Sequence, residues 1–88
     1  MANLYAVELT AKAEKVLKQL PVEIQKRMAN ALLQLTHDPR PDGVKKLTGL
    51  QSIYRIRVGD YRIVYEVVDR EVRVIVIAIG HRREIYRK

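Results

Sequence analysis

Two segments of this chain concentrate arginine in a way that predicts phosphate chemistry; they read YRIRVGDYRI and IGHRREIYRK. Gly59 and Asp60 are typical of a two-residue hairpin turn with glycine at its first central position. Such a turn places Arg57 directly opposite Arg62 on the neighbouring strand. Like charges that face each other destabilise a sheet, so a fold tolerates them most easily where they meet an anion. The spacing therefore predicts a phosphate site gripped by guanidinium groups.

Strand alternation divides this hairpin into a basic face and an apolar face. Arg55, Arg57 and Arg62 share the basic face. The opposite face carries apolar and aromatic residues that we assign to the core: Tyr54, Ile56, Ile63 and Tyr65. The competing interpretation is that the arginines form a solvated outer face and nothing more.

A second turn, expected at Asp69-Arg70, leads into a last strand over Glu71–Ile79. In the register set by that turn, Glu66 faces Arg73 as an opposite-charge pair, which a stable sheet favours. The register also places Arg62 opposite Ile77, and Gly80 beside Gly59.

The residues after this strand extend the basic cluster, because His81 and Arg82 then emerge at the sheet end that carries the first hairpin. His81 could act as a general acid or base, since the unperturbed pKa of histidine lies near neutrality. It could equally be a histidine at a strand end near the surface. His37 lies in a loop, and no acidic cluster accompanies either histidine. With no cysteine in the chain, we expect no metal site and no cofactor.

Tyr86 is the aromatic residue that stands outside any apolar pattern. Its neighbours in sequence are Arg82, Arg83, Arg87 and Lys88. A tyrosine interleaved with arginines can stack on a base while the arginines hold the backbone. The alternative is a residue at a helix end that folds back onto the sheet.

Length and charge set the limits of these interpretations. Eighty-eight residues predict one domain, residues 1–88, with one modest core. The net charge is +7, and residues 45–88 carry eleven Lys and Arg against five Asp and Glu. This imbalance favours a polyanionic partner, either nucleic acid or an acidic protein, over a merely soluble basic surface. No signal peptide or membrane-spanning run is found, so a cytoplasmic protein without membrane contact is expected.

The N-terminal half predicts the elements that must position the arginines. Leu4–Leu9 reads as a short strand, and Thr10 is suited to cap a following helix. Pro21 suits the first position of a second helix. The apolar stripes of both helices predict a helical hairpin packed on the sheet. A loop over His37–Val44 and a connector of uncertain structure over Lys45–Gln51 then lead to the arginine strands.

At these residues the chain resembles the RelE/ParE superfamily of bacterial and archaeal toxins, and specifically its RelE branch. The resemblance runs from the helical hairpin through KKLTGL, YRIRVGDYRIVYEV and VRVIVIAIGHRREIY. It implies an α+β fold in which an N-terminal helical hairpin packs on a roughly four-stranded antiparallel sheet. It also implies a metal-independent endoribonuclease that cuts mRNA on the ribosome. The implied partner is a cognate RelB-like antitoxin with an acidic amphipathic segment, in a toxin–antitoxin hetero-oligomer.

The family's active positions match Arg55, Arg57, Arg62, Arg82 and Tyr86. The implied chemistry is attack of a ribose 2′-OH on the adjacent phosphate, which yields a 2′,3′-cyclic phosphate and a free 5′-OH. Arginine practically cannot lose its proton, whereas some members carry lysines at the first two of these positions; His81 is therefore the spare candidate for the general base. We also expect RNA contacts from Lys45, Lys46 and Arg83.

Two other functions compete with this interpretation. A ParE-like protein poisons DNA gyrase by binding it and needs no nuclease residues. A degenerate member would retain antitoxin binding alone. Arg62, Arg82 and Tyr86 together favour the nuclease, because a protein that only binds has no need of that set.

Overall fold

Two helices and a five-stranded sheet make up the part of the chain that the structure describes. The structure is a computed structural model and describes residues 4–41, 44–47 and 52–81. In chain order the elements are β1 (Ala6–Leu9), α1 (Ala11–Gln19), α2 (Val22–His37), β2 (Lys45–Lys46), β3 (Ile53–Val58), β4 (Tyr61–Val68) and β5 (Arg73–His81). The strands lie in the order β1-β5-β4-β3-β2.

The predicted α+β class is confirmed, with two differences in the sheet. β1 runs parallel to β5, whereas the other neighbouring strands are antiparallel. β2 is an additional strand within the segment that was predicted only as a connector. Two lysines without an apolar pattern give no strand signal, so this strand is defined by its pairing with β3 and not by its own composition.

The helix boundaries follow from local chemistry. Thr10 caps α1 as predicted, because its side-chain oxygen accepts a hydrogen bond from the amide of Ala13 at 3.2 Å. Pro21 stands one residue earlier than predicted, at the N-cap of α2, with a φ of −54°. The second helix extends through His37, which had been assigned to the loop. No helix in the described part of the chain is long and apolar enough to cross a membrane.

The core lies between the two helices and one face of the sheet. We call this the inner face and its opposite the outer face. The helices contribute Ala13, Met28 and Leu35, all fully buried. The buried strand residues are Val58, Ile63, Tyr65, Val67, Val74, Val76 and Ile79. Tyr54 and Ile56 pack against this cluster, so the predicted core face of the first hairpin is confirmed.

The first hairpin has the predicted register. Gly59 adopts a φ of +61°, a conformation that side chains other than glycine rarely adopt, and this explains its place in the turn. Val58 pairs with Tyr61, and Arg57 pairs with Arg62. The two arginines therefore face each other across β3 and β4.

The second turn differs from the prediction. Residues Asp69–Glu71 form a single 3-10 turn, and Val72 closes it in the left-handed conformation with a φ of +53°. The turn is longer than the two-residue loop expected at Asp69-Arg70, so Val68 pairs with Arg73. The predicted pair of Glu66 with Arg73 is therefore wrong.

A β-bulge shifts the register of β4 and β5 once more, between Val64 and Tyr65. Tyr65 pairs with Val76, but Val64 pairs with Ala78. As a result Arg62 lies opposite Gly80, and the predicted pairings of Arg62 with Ile77 and of Gly80 with Gly59 are also wrong.

Candidate nucleic-acid interface

Four cations from three strands line a pocket on the outer face of the sheet. Its described lining is Lys45 of β2, Arg55 and Arg57 of β3, and Arg62 of β4. The pocket has a volume of about 220 Å³. Lys45 pairs with Arg55, and Arg57 pairs with Arg62, so each rung places two positive side chains on the same side. We call these four residues the cation pocket.

Backbone carbonyls hold two of these guanidinium groups close to the hairpin turn. Arg57 donates from Nε to the carbonyl oxygen of Gly59 at 3.2 Å. Arg62 donates from Nη1 to the carbonyl oxygen of Tyr61 at the same distance. Gly80 stands opposite Arg62 and has no side chain to fill the space beside it. Neutral carbonyl acceptors thus help to orient both guanidinium groups beside the turn.

Elsewhere on the sheet, arginine side chains are matched with carboxylates. Arg73 binds Glu8 through two hydrogen bonds of 2.8 and 2.9 Å and also contacts Glu71. Arg40 binds Asp69 at 2.7 and 3.3 Å. The hydrogen bonds from Arg73 and Arg40 hold the pKa values of Glu8 and Asp69 below their ordinary values.

Lys46, a predicted RNA-binding residue, lies apart from the cation pocket. Lys46 pairs with Tyr54 on β3, and Tyr54 belongs to the inner face. Because side chains alternate along a strand, Lys45 and Lys46 point to opposite faces. Only the first of the two lysines joins the arginines.

His81 lies at the predicted end of the sheet but on the inner face. It pairs with Tyr61, and the two rings meet edge to face with centroids 5.6 Å apart. Tyr61 packs against the core, so both rings lie across the sheet from Arg57 and Arg62. The expectation that His81 converges on the arginine cluster is therefore right about the end of the sheet and wrong about the face.

The register explains this change of face. The longer turn shifts the predicted pairing of β4 with β5 by two residues, and the bulge shifts it by one more. A shift of two leaves each side chain on its predicted face, whereas an odd total exchanges the faces. Gly80 consequently takes the place opposite Arg62, and His81 falls beside Tyr61.

Three predicted site residues, Arg82, Arg83 and Tyr86, lie outside the described residues. Among the predicted site residues that the structure describes, those that lie together in the cation pocket are Lys45, Arg55, Arg57 and Arg62. Among the described residues, no three His, Asp or Glu side chains form a group that could hold a metal ion.

One cation near the turn was not found by the sequence analysis. A Cβ atom placed on Gly59 would lie 3.1 Å from Nη1 of Arg27, so α2 brings a guanidinium group against the hairpin turn from the inner side. Arg57 binds the carbonyl oxygen of the same glycine. Arg27 is one polar residue on the exposed side of an amphipathic helix, and its sequence neighbours give no sign of this contact.

Comparison with known proteins gives a consistent result. The family model described as the ParE toxin of type II toxin–antitoxin systems, parDE, matches residues 7–86. The mRNA interferase toxin RelE of Escherichia coli K12 is 30% identical, over 93% of this chain and 90% of the relative. Toxin RelE of Mycobacterium tuberculosis is 33% identical, over 94% and 87% of the two chains. This chain belongs to the RelE family of type II toxins.

Solved structures of RelE proteins share the fold. The archaeal RelE–RelB complex from Pyrococcus horikoshii aligns with a TM-score of 0.81 at 29% identity, over 93% of this chain and 97% of that one. The intact E. coli RelBE toxin–antitoxin complex aligns with a TM-score of 0.79 at 29% identity, over 88% and 95%. The resemblance to RelE toxins predicted from the arginine motifs is thereby confirmed.

Proposed function

We propose that this RelE-family toxin is a ribosome-dependent endoribonuclease that cleaves mRNA. The observation that carries the proposal is the cation pocket, in which Arg57 faces Arg62 and Lys45 faces Arg55. Facing cations cost stability in a sheet, and a phosphate that binds between them offsets that cost. The name of the E. coli relative, an mRNA interferase, supports RNA as the source of that phosphate.

The reaction in this proposal is attack of a ribose 2′-OH on the adjacent phosphorus. The P–O5′ bond breaks, and the products are a 2′,3′-cyclic phosphate and a free 5′-OH. Negative charge grows on the non-bridging phosphate oxygens as the new bond forms, and fixed donors aimed at those oxygens lower the barrier. Arg57 and Arg62 fill that role without a metal ion. Arg55 and Lys45 hold the flanking backbone.

Other residues in the proposal lie outside the described residues or away from the pocket. Arg82 is proposed as a further phosphate ligand, Tyr86 as a residue that stacks on a base, and Arg83 as a backbone contact. The inner-face position of His81 gives its ring a packing role beside Tyr61. Its role as the titrating group stays a prediction. Comparison of pH–rate profiles for the wild type and His81→Gln tests it, and identical profiles would remove His81 from the mechanism.

The ribosome enters the proposal because this protein and its pocket are both small. A pocket of about 220 Å³ can accept a phosphate group but cannot enclose the nucleotides on either side of it. Holding the 2′-OH in line with the leaving oxygen can contribute about 7–11 kcal/mol to lowering the barrier. We propose that the ribosome supplies this alignment, which places the toxin in the cytoplasm with its substrate.

A RelB-like antitoxin is the proposed protein partner. The solved relatives include RelE–RelB complexes from a bacterium and from an archaeon, in which a toxin of the same fold is bound to an antitoxin. An acidic amphipathic segment would complement the basic C-terminal half of this chain and would speed association. Co-purification with the product of the adjacent gene tests this. A product that neither binds nor relieves growth arrest would contradict it.

The second candidate function is inhibition of DNA gyrase. The matching family model is described as a ParE toxin. This description favours gyrase inhibition, because ParE-like toxins poison gyrase. A ParE-like toxin without nuclease activity would leave messages intact. A degenerate member that retains antitoxin binding alone would leave both messages and DNA intact.

One experiment separates these functions. The purified toxin is incubated with mRNA on programmed ribosomes, with the same mRNA free in solution, and with gyrase and supercoiled DNA. The proposal predicts cut mRNA on ribosomes, little cutting of free mRNA, and unbroken DNA. DNA breaks with intact mRNA would establish the gyrase poison instead. Equal cutting of free and ribosome-bound mRNA would contradict the ribosome's role, although it would still support nuclease activity.

A further inference from the structure

We propose that Arg40 is a positioning residue for the cation pocket. It holds the segment that places Lys45 at the edge of β3, and it does so from the inner side of the sheet. This inference rests on the proposed function in one respect, because Lys45 matters only if the pocket binds RNA.

Arg40 contacts two residues on other parts of the chain, Asp69 and Tyr54. Its two terminal nitrogens donate to the two carboxylate oxygens of Asp69 at 2.7 and 3.3 Å. Its Nε donates to the hydroxyl of Tyr54 at 2.9 Å, and its guanidinium carbon lies 5.2 Å from the centre of that ring. Tyr5 donates to the same carboxylate at 2.7 Å. One side chain thus joins the segment after α2 to β3 and to the turn before β5.

Hydrogen bonds also hold the residues on either side of Arg40. The buried hydroxyl of Tyr65 donates to the carbonyl oxygen of Pro39 at 2.7 Å. The amide of Val44 donates to the carbonyl oxygen of Pro41 at 3.1 Å, directly before β2 begins. The chain is therefore held at Pro39 and Arg40, and a backbone hydrogen bond joins Pro41 to Val44, the residue directly before Lys45.

β2 itself is a short strand with few contacts of its own to hold it in the sheet. It has two residues, both exposed, at the edge of the sheet. Beyond it, the amide of Leu47 donates to the carbonyl oxygen of Ile53 at 3.0 Å. Its pairing places Lys45 opposite Arg55, and like charges in that position repel. A two-residue edge strand under such repulsion needs an anchor outside the ladder, and Arg40 provides one.

Arg40 and the cation pocket lie on opposite sides of the sheet. Its partner Tyr54 packs against the core on the inner face, whereas the cation pocket lies on the outer face. We therefore expect Arg40 to affect RNA binding indirectly, through the position of Lys45.

The first test measures whether Arg40 holds β2, by hydrogen exchange at the amide of Leu47. Arg40→Gln should lower the protection of this amide by about tenfold or more, because the edge strand separates more often. Arg73→Gln is the matched control, since it removes another bidentate arginine–carboxylate pair with the same change of charge. It should leave Leu47 protected. Equal protection in Arg40→Gln and the wild type would overturn the proposal.

The second test measures binding of a single-stranded DNA oligonucleotide, which lacks the attacking 2′-OH, as a function of salt. Losing the contact from Lys45 should weaken binding by about tenfold and reduce the slope of log K against log salt by about 0.7. Arg40→Gln should show both effects in the wild type and neither in a Lys45→Ala background. Tyr65→Phe loosens the same segment without any change of charge and should reproduce them.

The outcomes are distinct. If Arg40→Gln weakens binding equally with and without Lys45, then Arg40 contacts the nucleic acid itself and the proposal is overturned. If the wild type binds no nucleic acid and cuts no ribosome-bound message, the proposed function fails and the role of Lys45 fails with it. In that case the exchange at Leu47 still decides whether Arg40 anchors β2.

Discussion

The cation pocket and the cluster around Arg40 use arginine in opposite ways. In the cluster, Arg40 meets Asp69 through two hydrogen bonds, and two tyrosines complete the contacts. In the cation pocket, Arg57 faces Arg62, and each side chain donates a hydrogen bond to a backbone carbonyl beside the turn. Arg40 joins segments that are distant in sequence. The cation pocket instead places like charges side by side on one face of the sheet, as the proposed phosphate site requires.

The largest effect expected from this difference is on catalysis. Arg62→Ala should lower the rate of cleavage of ribosome-bound mRNA by about 10²–10³, because one fixed donor to the developing charge is lost. Its melting temperature should be unchanged or slightly higher, since the repulsion from Arg57 is removed. Single-turnover cleavage and thermal melting measure the two quantities.

Arg73→Ala is the matched control for this prediction. It removes an arginine from the same outer side of the sheet, but one that pairs with Glu8 and Glu71. We expect nearly normal cleavage and a lower melting temperature. If the two variants behaved alike in both measurements, the contrast between functional and structural arginines would be lost.

The next effect is on stability in acid. Arg73 and Arg40 lower the pKa values of Glu8 and Asp69 in the folded state, so their contribution is complete above the ordinary values of 4.5 and 3.8. It is lost as the pH falls through the lower folded values. The urea midpoint of the wild type should therefore fall more steeply than that of Asp69→Asn between about pH 5 and about pH 2.

The pocket variants provide the comparison for the acid measurement. Arg62→Ala leaves the contact between Arg40 and Asp69 in place, so we expect its urea midpoint to fall in acid like that of the wild type. A constant difference between Asp69→Asn and the wild type at every pH would show that the ion pair with Arg40 does not contribute as described.

The smallest expected effect is on stabilisation by bound anions. A single-stranded DNA oligonucleotide should raise the melting temperature of the wild type, because it binds the folded protein preferentially. Arg57→Ala should reduce this shift and make it less sensitive to salt. The same oligonucleotide should stabilise Arg73→Ala as it stabilises the wild type. An undiminished shift in Arg57→Ala would place the anion elsewhere.

The register of the first hairpin was predictable from sequence, and the register of the last strand was not. Gly59 needs a positive φ, and a two-residue turn leaves one register, so the pairing of Arg57 with Arg62 follows from local rules. The turn at Asp69 depends on a contact with Arg40, 29 residues away, and on Val72 in a conformation that valine rarely adopts. No local pattern contains that information.

The same distinction between local and remote information applies to the residues of the candidate site. Arg55, Arg57 and Arg62 were found because strand alternation and one turn fix their face. The face of His81 depends on the second turn and on the bulge, and an error of three residues in that register exchanges the faces. Lys45 was predicted as an RNA contact, but its place opposite Arg55 depends on the pairing of a two-residue strand.

The role of the cation pocket in cleavage can be measured directly on programmed ribosomes that carry one defined message. Wild-type toxin, Arg62→Ala and Arg73→Ala are added in turn, and the 3′ ends of the fragments are analysed for a 2′,3′-cyclic phosphate. We predict cleavage with that terminus for the wild type and Arg73→Ala, and about 10²–10³ slower cleavage for Arg62→Ala. Cleavage by Arg62→Ala at the wild-type rate, or an uncut message with the wild-type toxin, would show that the cation pocket does not have this catalytic role.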